Sequence, residues 1–207
     1  MAKVIVRKNK GVVGKDIATY LADIKARPDA VSVGDQIRIP FKNGKSVLFV
    51  VTDIDKDGIR YESRNCLGKY VKMTDMDNYL NDILAQLPDA LVQAIIPTER
   101  RHIMHNGTVR TDKALLFLPA ASEIFPTSRC YGDSDLYKQL DWYKDVHNRV
   151  RAFSDDANMD TDWYWTSSPT SGSTAGWCYV NSYGDAANYG ASADWIGAPV
   201  CFRIPKS

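Results

Sequence analysis

Three groups of residues have the types and spacing that could do chemistry. The first is Asp53-Ile54-Asp55-Lys56-Asp57-Gly58, which has the carboxylates and glycine that open a calcium-binding loop. Such a loop ends on a bidentate Glu at its twelfth position. Arg64 stands there instead, so the segment reads as a hairpin turn. The second group is histidine. His102 and His105 flank Asn106-Gly107 at close range and His147 is distant, whereas zinc needs three or four converging ligands. The pair therefore reads as part of a hairpin. The third group is Cys66, Cys130, Cys178 and Cys201, which lack CxxC spacing. Free, mostly buried thiols are expected, and a Cys178–Cys201 bridge is left open. No Gly-rich phosphate loop, GxSxG elbow or HExxH occurs, and no pair of carboxylates stands apart from the rest. The chain is not read as an enzyme, and no metal, cofactor or catalytic residue is expected.

A different chemistry is concentrated in residues 163–204. Between Pro169 and Pro199 there is no Lys, Arg, Glu, Gln, His, Leu, Met or Phe, in a chain that is 25% charged. Gly, Asn, Ser and Asp bury little apolar area and favour turns, so the middle of this stretch cannot form a core. Its ends can. Ile196, Ala198, Val200, Phe202 and Ile204 alternate with smaller or polar residues, the period of a strand with one buried face. Trp177, Tyr179, Asn181 and Tyr183 alternate with Cys178, Val180 and Ser182 in the same way. Two strands are expected to bracket a polar loop at 184–194, which reads as a display surface.

The elements that must position this surface are legible upstream. Ile17, Tyr20, Leu21 and Ile24 recur at helical spacing, and Arg27-Pro28 ends that helix, which could pack on the domain or on a partner subunit. Strands are expected at 36–41 and 46–52, joined by a tight turn at Asn43-Gly44, and a third at 58–63. Thr74 and Asp77 open a second helix with the stripe Met76, Tyr79, Leu80, Ile83, Leu84 and Leu87, stopped by Pro88. A short helix at 90–96 and an apolar strand at 114–118 follow. Residues 135–150 read as a helical or irregular excursion with Tyr137, Leu140, Trp142, Tyr143 and Val146 turned inward.

Length and composition set the remaining bounds. The chain has 207 residues, 44% of them hydrophobic, and a net charge of +1. That suits one large soluble domain, or one domain with a short appendage, and gives no general reason to expect nucleic acid. Lys3, Arg7, Lys8, Lys10 and Lys15 read as a solvated terminus. No run of about 18 apolar residues marks a membrane span, and the apolar patch near Met1 is too short for an export signal.

Two blocks carry a family resemblance. Val33-Gly34-Asp35 through Gly44 to Glu62-Ser63, the helix at 76–87, and Leu118-Pro119-Ala120-Ala121-Ser122-Glu123 resemble an uncharacterised bacterial and phage domain family of C-type-lectin-like fold. Trp163-Tyr164-Trp165-Thr166-Ser167-Ser168-Pro169, Trp177-Cys178-Tyr179-Val180, the Gly/Asn-rich loop and Val200-Cys201-Phe202-Arg203-Ile204 are similar to the variable proteins of diversity-generating retroelements. The resemblance implies an α+β, C-type lectin-like fold: antiparallel sheets, two or more flanking helices and a long C-terminal loop region. It would occupy 31–207, with 1–30 as an arm and helix and a variable region at about 163–204.

Such elements rewrite template adenines into any base. An AAC codon randomised at its first two positions yields Asn, Asp, Tyr, Ser, Ala and Gly among others, and never Lys, Glu, Gln, Met or Trp. Residues 181–194 stay inside that set. A fixed lectin-like structural domain is the competing reading. The formylglycine-generating enzyme shares the general fold, but its paired cysteines have no obvious counterpart in Cys178 and Cys201.

The resemblance implies a rigid core behind a variable contact face formed by Tyr179, Asn181, Tyr183, Asp185, Ala187, Asn188, Tyr189, Ala191, Ser192 and Asp194. Tyrosine gives flat, amphipathic contact at low entropic cost, and Asn and Ser give adaptable hydrogen bonds. Trp163, Trp165, Trp177 and Phe202 would be scaffold. No Glu-Pro-Asn or Gln-Pro-Asp triplet occurs, so calcium-dependent sugar binding is not carried over. The implied function is phage receptor binding or cell-surface recognition. The implied partner is a protein or glycan on a target cell, without nucleic acid or membrane insertion, and a homo-oligomer is allowed. The implied location is virion-associated or cytoplasmic.

Overall fold

The computed structural model describes residues 16–104, 106–127, 136–155 and 160–206. Cys130, His105 and the basic stretch before Asp16 lie outside them. In chain order the elements are α1 (Ile17–Ala26), β1 (Gln36–Pro40), β2 (Ser46–Asp55), β3 (Gly58–Ser63), α2 (Met76–Gln86) and α3 (Asp89–Ala94). A ribbon of β4 (Thr98–Ile103) and β5 (Val109–Ala114) follows, then α4 (Ala121–Ile124), β6 (Arg151–Ala152), β7 (Thr161–Asp162), β8 (Tyr164–Pro169), β9 (Gly176–Val180), β10 (Ala186–Gly190) and β11 (Cys201–Ile204). The architecture is α+β, with antiparallel sheets and few helices. Among the described residues no helix is long and apolar enough to cross a membrane.

The main sheet has the order β1-β2-β3-β11, antiparallel throughout. Gly44 turns β1 into β2 with a φ of +83°, which costs a glycine little. Gly58 opens β3 at φ +134°, where an added Cβ would sit 2.4 Å from the Ile204 carbonyl oxygen, so only glycine fits beneath β11. Phe202 packs at the centre, stacked on Tyr61 at 5.3 Å and tilted against Phe49 at 5.2 Å.

α1 starts where Asp16 accepts from the Thr19 N–H at 3.0 Å and stops at the residue before Pro28. Tyr20 and Ile24, one turn apart, enter the core of the main sheet, and the Tyr20 hydroxyl meets that of Tyr61 at 2.7 Å. This helix shares the domain core. α2 buries Met76 and Tyr79, Pro88 separates it from α3, and no side chain caps its start.

A buried ionic network ties the sheet to the segments around it. Arg60 of β3 and Arg100 of β4 both bond Glu123 of α4, at 2.6 and 2.8 Å, and Glu123 also accepts from the Ala120 N–H at 2.7 Å. Glu62 accepts from Arg151 and from the Tyr143 hydroxyl. Burial alone would raise the Glu123 pKa. The Arg100 and Arg60 guanidiniums outweigh it and hold the carboxyl well below the usual range.

Several expectations need correction. Residues 196–204 are buried on both faces: Ile196, Ala198, Val200, Phe202 and Ile204 join the main core, while on the other face Cys201 lies against Arg60 and Arg203 pairs with Asp53 and Asp55. Only Cys201–Ile204 is regular strand. At 114–118 there is a single bridge at Phe117 in place of a strand, and the regular pairing comes earlier, in β5. The excursion forms 3₁₀ turns at Asp141–Lys144 and Val146–Arg149, which bury Tyr143 and leave Val146 55% exposed.

Candidate functional site: the β9–β10 hairpin face

The second sheet has the order β10-β9-β8 and carries the candidate surface. The loop expected at 184–194 contains the strand β10, paired to β9 with Ala187 opposite Tyr179 and Tyr189 opposite Trp177. The turn between them is held by Asn181, whose Oδ1 accepts from the Tyr183 and Asp185 N–H groups at 2.9 and 3.0 Å. Gly184 takes φ +85° and lies against Val150 and Arg149, seating the hairpin tip on the neighbouring 3₁₀ turn. After β10 the chain is strapped down by main-chain bonds, Met73 N–H to Ala191 O at 2.9 Å and Val71 N–H to Ile196 O at 3.0 Å. The scaffold of the surface is therefore backbone.

The ten expected contact residues divide. Tyr183 is 84% exposed and Tyr189 51%, and Asp185, Asn188, Ser192 and Asp194 are also exposed. Ala187 and Ala191 are half-buried. One expectation is overturned, and a second residue has a structural role as well. Tyr179 is only 7% exposed, because its ring is stacked on Trp163 at 4.8 Å and stands edge-on to Trp165 at 6.3 Å, so it belongs to the core. Asn181 is half-buried, and its amide oxygen is committed to the turn. Trp165 and Phe202 are fully buried and Trp163 and Trp177 half-buried, as suits scaffold.

One surface residue was missed. Trp195 is 37% exposed and stands roughly perpendicular to Tyr189 and to Trp163, 4.9 Å from each. The signal lay in the alternation itself: a strand pattern that turns Ile196 inward turns Trp195 the other way. From Trp165 through Tyr179, Trp163 and Trp195 to Tyr189, contiguous rings lead from the core to solvent.

The other chemical candidates have structural employment. Asp53 and Asp55 pair with Arg203 at 3.1 and 2.7 Å, which accounts for two of the three carboxylates of the calcium-like motif. His102 is half-buried in β4, where desolvation and the nearby Arg100 lower its pKa, and His147 is exposed beside Asp145 at 3.0 Å. Among the described residues no group of three or more His, Cys, Asp or Glu side chains is placed to hold a metal ion. Cys66, Cys178 and Cys201 are free and buried, so Cys178 and Cys201 are not bridged. Burial pushes the Cys66 thiol up to about 12 and raises that of Cys201 as well, and protonated thiols are poor nucleophiles.

Comparison with known proteins adds one relationship. Residues 45–206 match the family described as a domain of unknown function, DUF6273, a span from the start of β2 to beyond β11 that leaves α1 and β1 outside. No curated protein and no solved structure matches the chain.

Proposed function

The chain belongs to this family of domains of unknown function, and from that premise we propose that it is a ligand-recognition protein of C-type lectin-like fold. Its β9–β10 hairpin and the turn after it would form a contact surface diversified by a retroelement. The observation that carries the reading is the separation of roles within 181–194. Backbone bonds and Asn181 hold the hairpin, whereas the side chains of Tyr183, Asp185, Asn188, Ser192 and Asp194 make no hydrogen bond or ion pair among the described residues. Their identities are free to change without cost to the fold. These positions use only residues that a randomised AAC codon can produce, while the tryptophans, which it cannot produce, stand outside at 142, 163, 165, 177 and 195.

The fold assignment is supported by paired antiparallel sheets, flanking helices and the long excursion between β3 and its partner β11. The reading invokes no catalysis, metal or cofactor. The partner is a protein or glycan on a target cell, met from a phage particle or a cell surface. Two observations test it. Beside the gene there should be a reverse transcriptase and a near-copy of the hairpin's coding sequence that differs at adenines. In parallel, a library varied at Tyr183, Asp185, Asn188, Tyr189, Ser192 and Asp194 should keep its folded yield while binding to candidate host cells is lost or redirected. A library that mostly unfolds, or one that folds and binds unchanged, removes the hairpin as the contact surface.

A further inference from the structure

Charge is spread unevenly along this chain. Between Arg151 and Arg203 there is no Lys, Arg or His, but there are six Asp residues. Six negative charges in that stretch, against a net +1 overall, leave +7 for the remainder. Asp155 is consumed internally, by the Leu48 N–H at 2.6 Å, Asn65 at 3.1 Å and Arg38 at 3.6 Å. Asp160, Asp185 and Asp194 are exposed, and Asp162 is half-buried, accepting from the Trp163 backbone N–H at 2.7 Å and from the Tyr70 hydroxyl at 2.8 Å. Among the described residues no Lys or Arg pairs with any of these four.

The rings beside them pack on one another and carry no described cation. The described cations that sit over aromatic faces choose Phe117, Tyr137, Tyr79, Phe125 and Tyr164. None lies over Tyr189, Trp195 or Trp163. Aromatic faces carry the negative part of the ring quadrupole, so they attract cations as the bare carboxylates do. A neutral glycan would use the rings and leave the charge unmatched, and an anionic ligand would be repelled. We propose that this surface takes a cationic partner segment, a Lys- or Arg-rich stretch of protein. Its ammonium or guanidinium groups would lie over Tyr189 and Trp195, and Asp194 and Asp185 would be its ion-pair partners. Those two carboxylates stand at opposite ends of β10, which spans about 14 Å at ~3.4 Å per residue. An extended segment with positive residues four or five positions apart reaches both. The inference rests on the hairpin being the contact surface.

The test is fluorescence anisotropy of the full chain with labelled octalysine, octaglutamate, a neutral Gly-Ser octapeptide and a chito-oligosaccharide. Octalysine should bind most tightly and weaken as NaCl is raised from 50 to 200 mM. Tyr189→Leu and Trp195→Leu, which keep apolar bulk and remove the ring, should each weaken it by about two- to fivefold. The Asp185→Asn/Asp194→Asn double variant should weaken it by a similar factor and flatten the salt dependence. Asp141→Asn, at an exposed carboxylate already paired with Lys144 at 2.5 Å, should change nothing. Unchanged melting temperatures certify that the variants are folded. If octalysine binds no better than the neutral peptide, or Asp141→Asn weakens it as much as the hairpin variants do, the cationic inference is overturned. If the oligosaccharide binds instead and Tyr189→Leu weakens it, the cationic partner is wrong and the hairpin surface stands. If octalysine binds and every hairpin variant binds like wild type, the hairpin surface falls as well.

Discussion

Replacing Glu123 with Gln keeps the shape of the side chain and removes its charge from the centre of the molecule. Arg100 then loses its only carboxylate partner among the described residues, while Arg60 keeps Glu62 at 3.5 Å. Both guanidiniums are buried, so the unmatched charge cannot turn to water. Breaking a buried pair by removing one partner costs about 3–5 kcal/mol. The Gln oxygen can still accept one or two of the three guanidinium N–H bonds to this residue, which places the expected loss near the lower end. For a domain of this size about 3 kcal/mol corresponds to a fall in Tm of roughly 6–12 °C. The assay is urea and thermal unfolding followed by near-UV circular dichroism at pH 7 and between pH 5 and 3. The folded-state pKa of Glu123 lies below its unfolded value of about 4.3. Its contribution is therefore present above that pH and lost as pH falls below it. The variant should accordingly show a shallower acid limb than wild type. The double variant Arg100→Met/Glu123→Leu, which removes the stranded charge as well, should recover part of the loss. A loss under about 1 kcal/mol with an unchanged acid limb would refute the assignment of Glu123 as the hub of the network.

Three further outcomes are expected. Phe202→Ala, which empties the site between Tyr61 and Phe49, should cost about 3–5 kcal/mol in denaturant titration. Asn181→Ala should cost about 1 kcal/mol, because two N–H groups lose their acceptor, while Asn188→Ala on the same hairpin should stay within about 0.5 kcal/mol. Thermal melts with and without EDTA should superimpose, since Arg203 already occupies two of the three carboxylates of the calcium-like motif.

Local signals were the most readable part of the sequence. The strand expected at 58–63 is observed at those residues, and α1 ends at Ala26 with Arg27 as its cap, because Asp-Gly and Arg-Pro act through the backbone of a few neighbouring residues. β10 was read as loop because Ala-Ala-Asn-Tyr-Gly has little β-propensity of its own. It is a strand because β9 supplies the partner. Tyr179 was placed on the surface because tyrosine suits both recognition and burial, and the stack with Trp163 that decides between them spans 16 positions. The ionic network was invisible for the same reason. Arg60 and Glu123 are 63 positions apart and Arg151 and Glu62 are 89, with no local pattern to couple them. The exposed members of the candidate site were legible because the composition of 181–194 excludes the large apolar residues that build cores.

The pairing of β11 with β3 also governs the order in which this chain can fold. Ile204 lies opposite Ile59, so the contact closes a loop of about 145 residues, at an entropic cost on the order of 4 kcal/mol. While the ribosome is still making the hairpin, the edge of β3 is unpaired and Phe49 and Tyr61 lack the ring that covers them. A nascent chain can rest in that state but cannot leave it until residues 201–204 emerge. A stop codon anywhere in 181–194 therefore yields a product with an open sheet edge and an exposed core, suited to proteolysis and aggregation. Only chains translated through residues 201–204 acquire the strand and the Phe202 ring that complete the main sheet, so the last residues made are the ones that close its core.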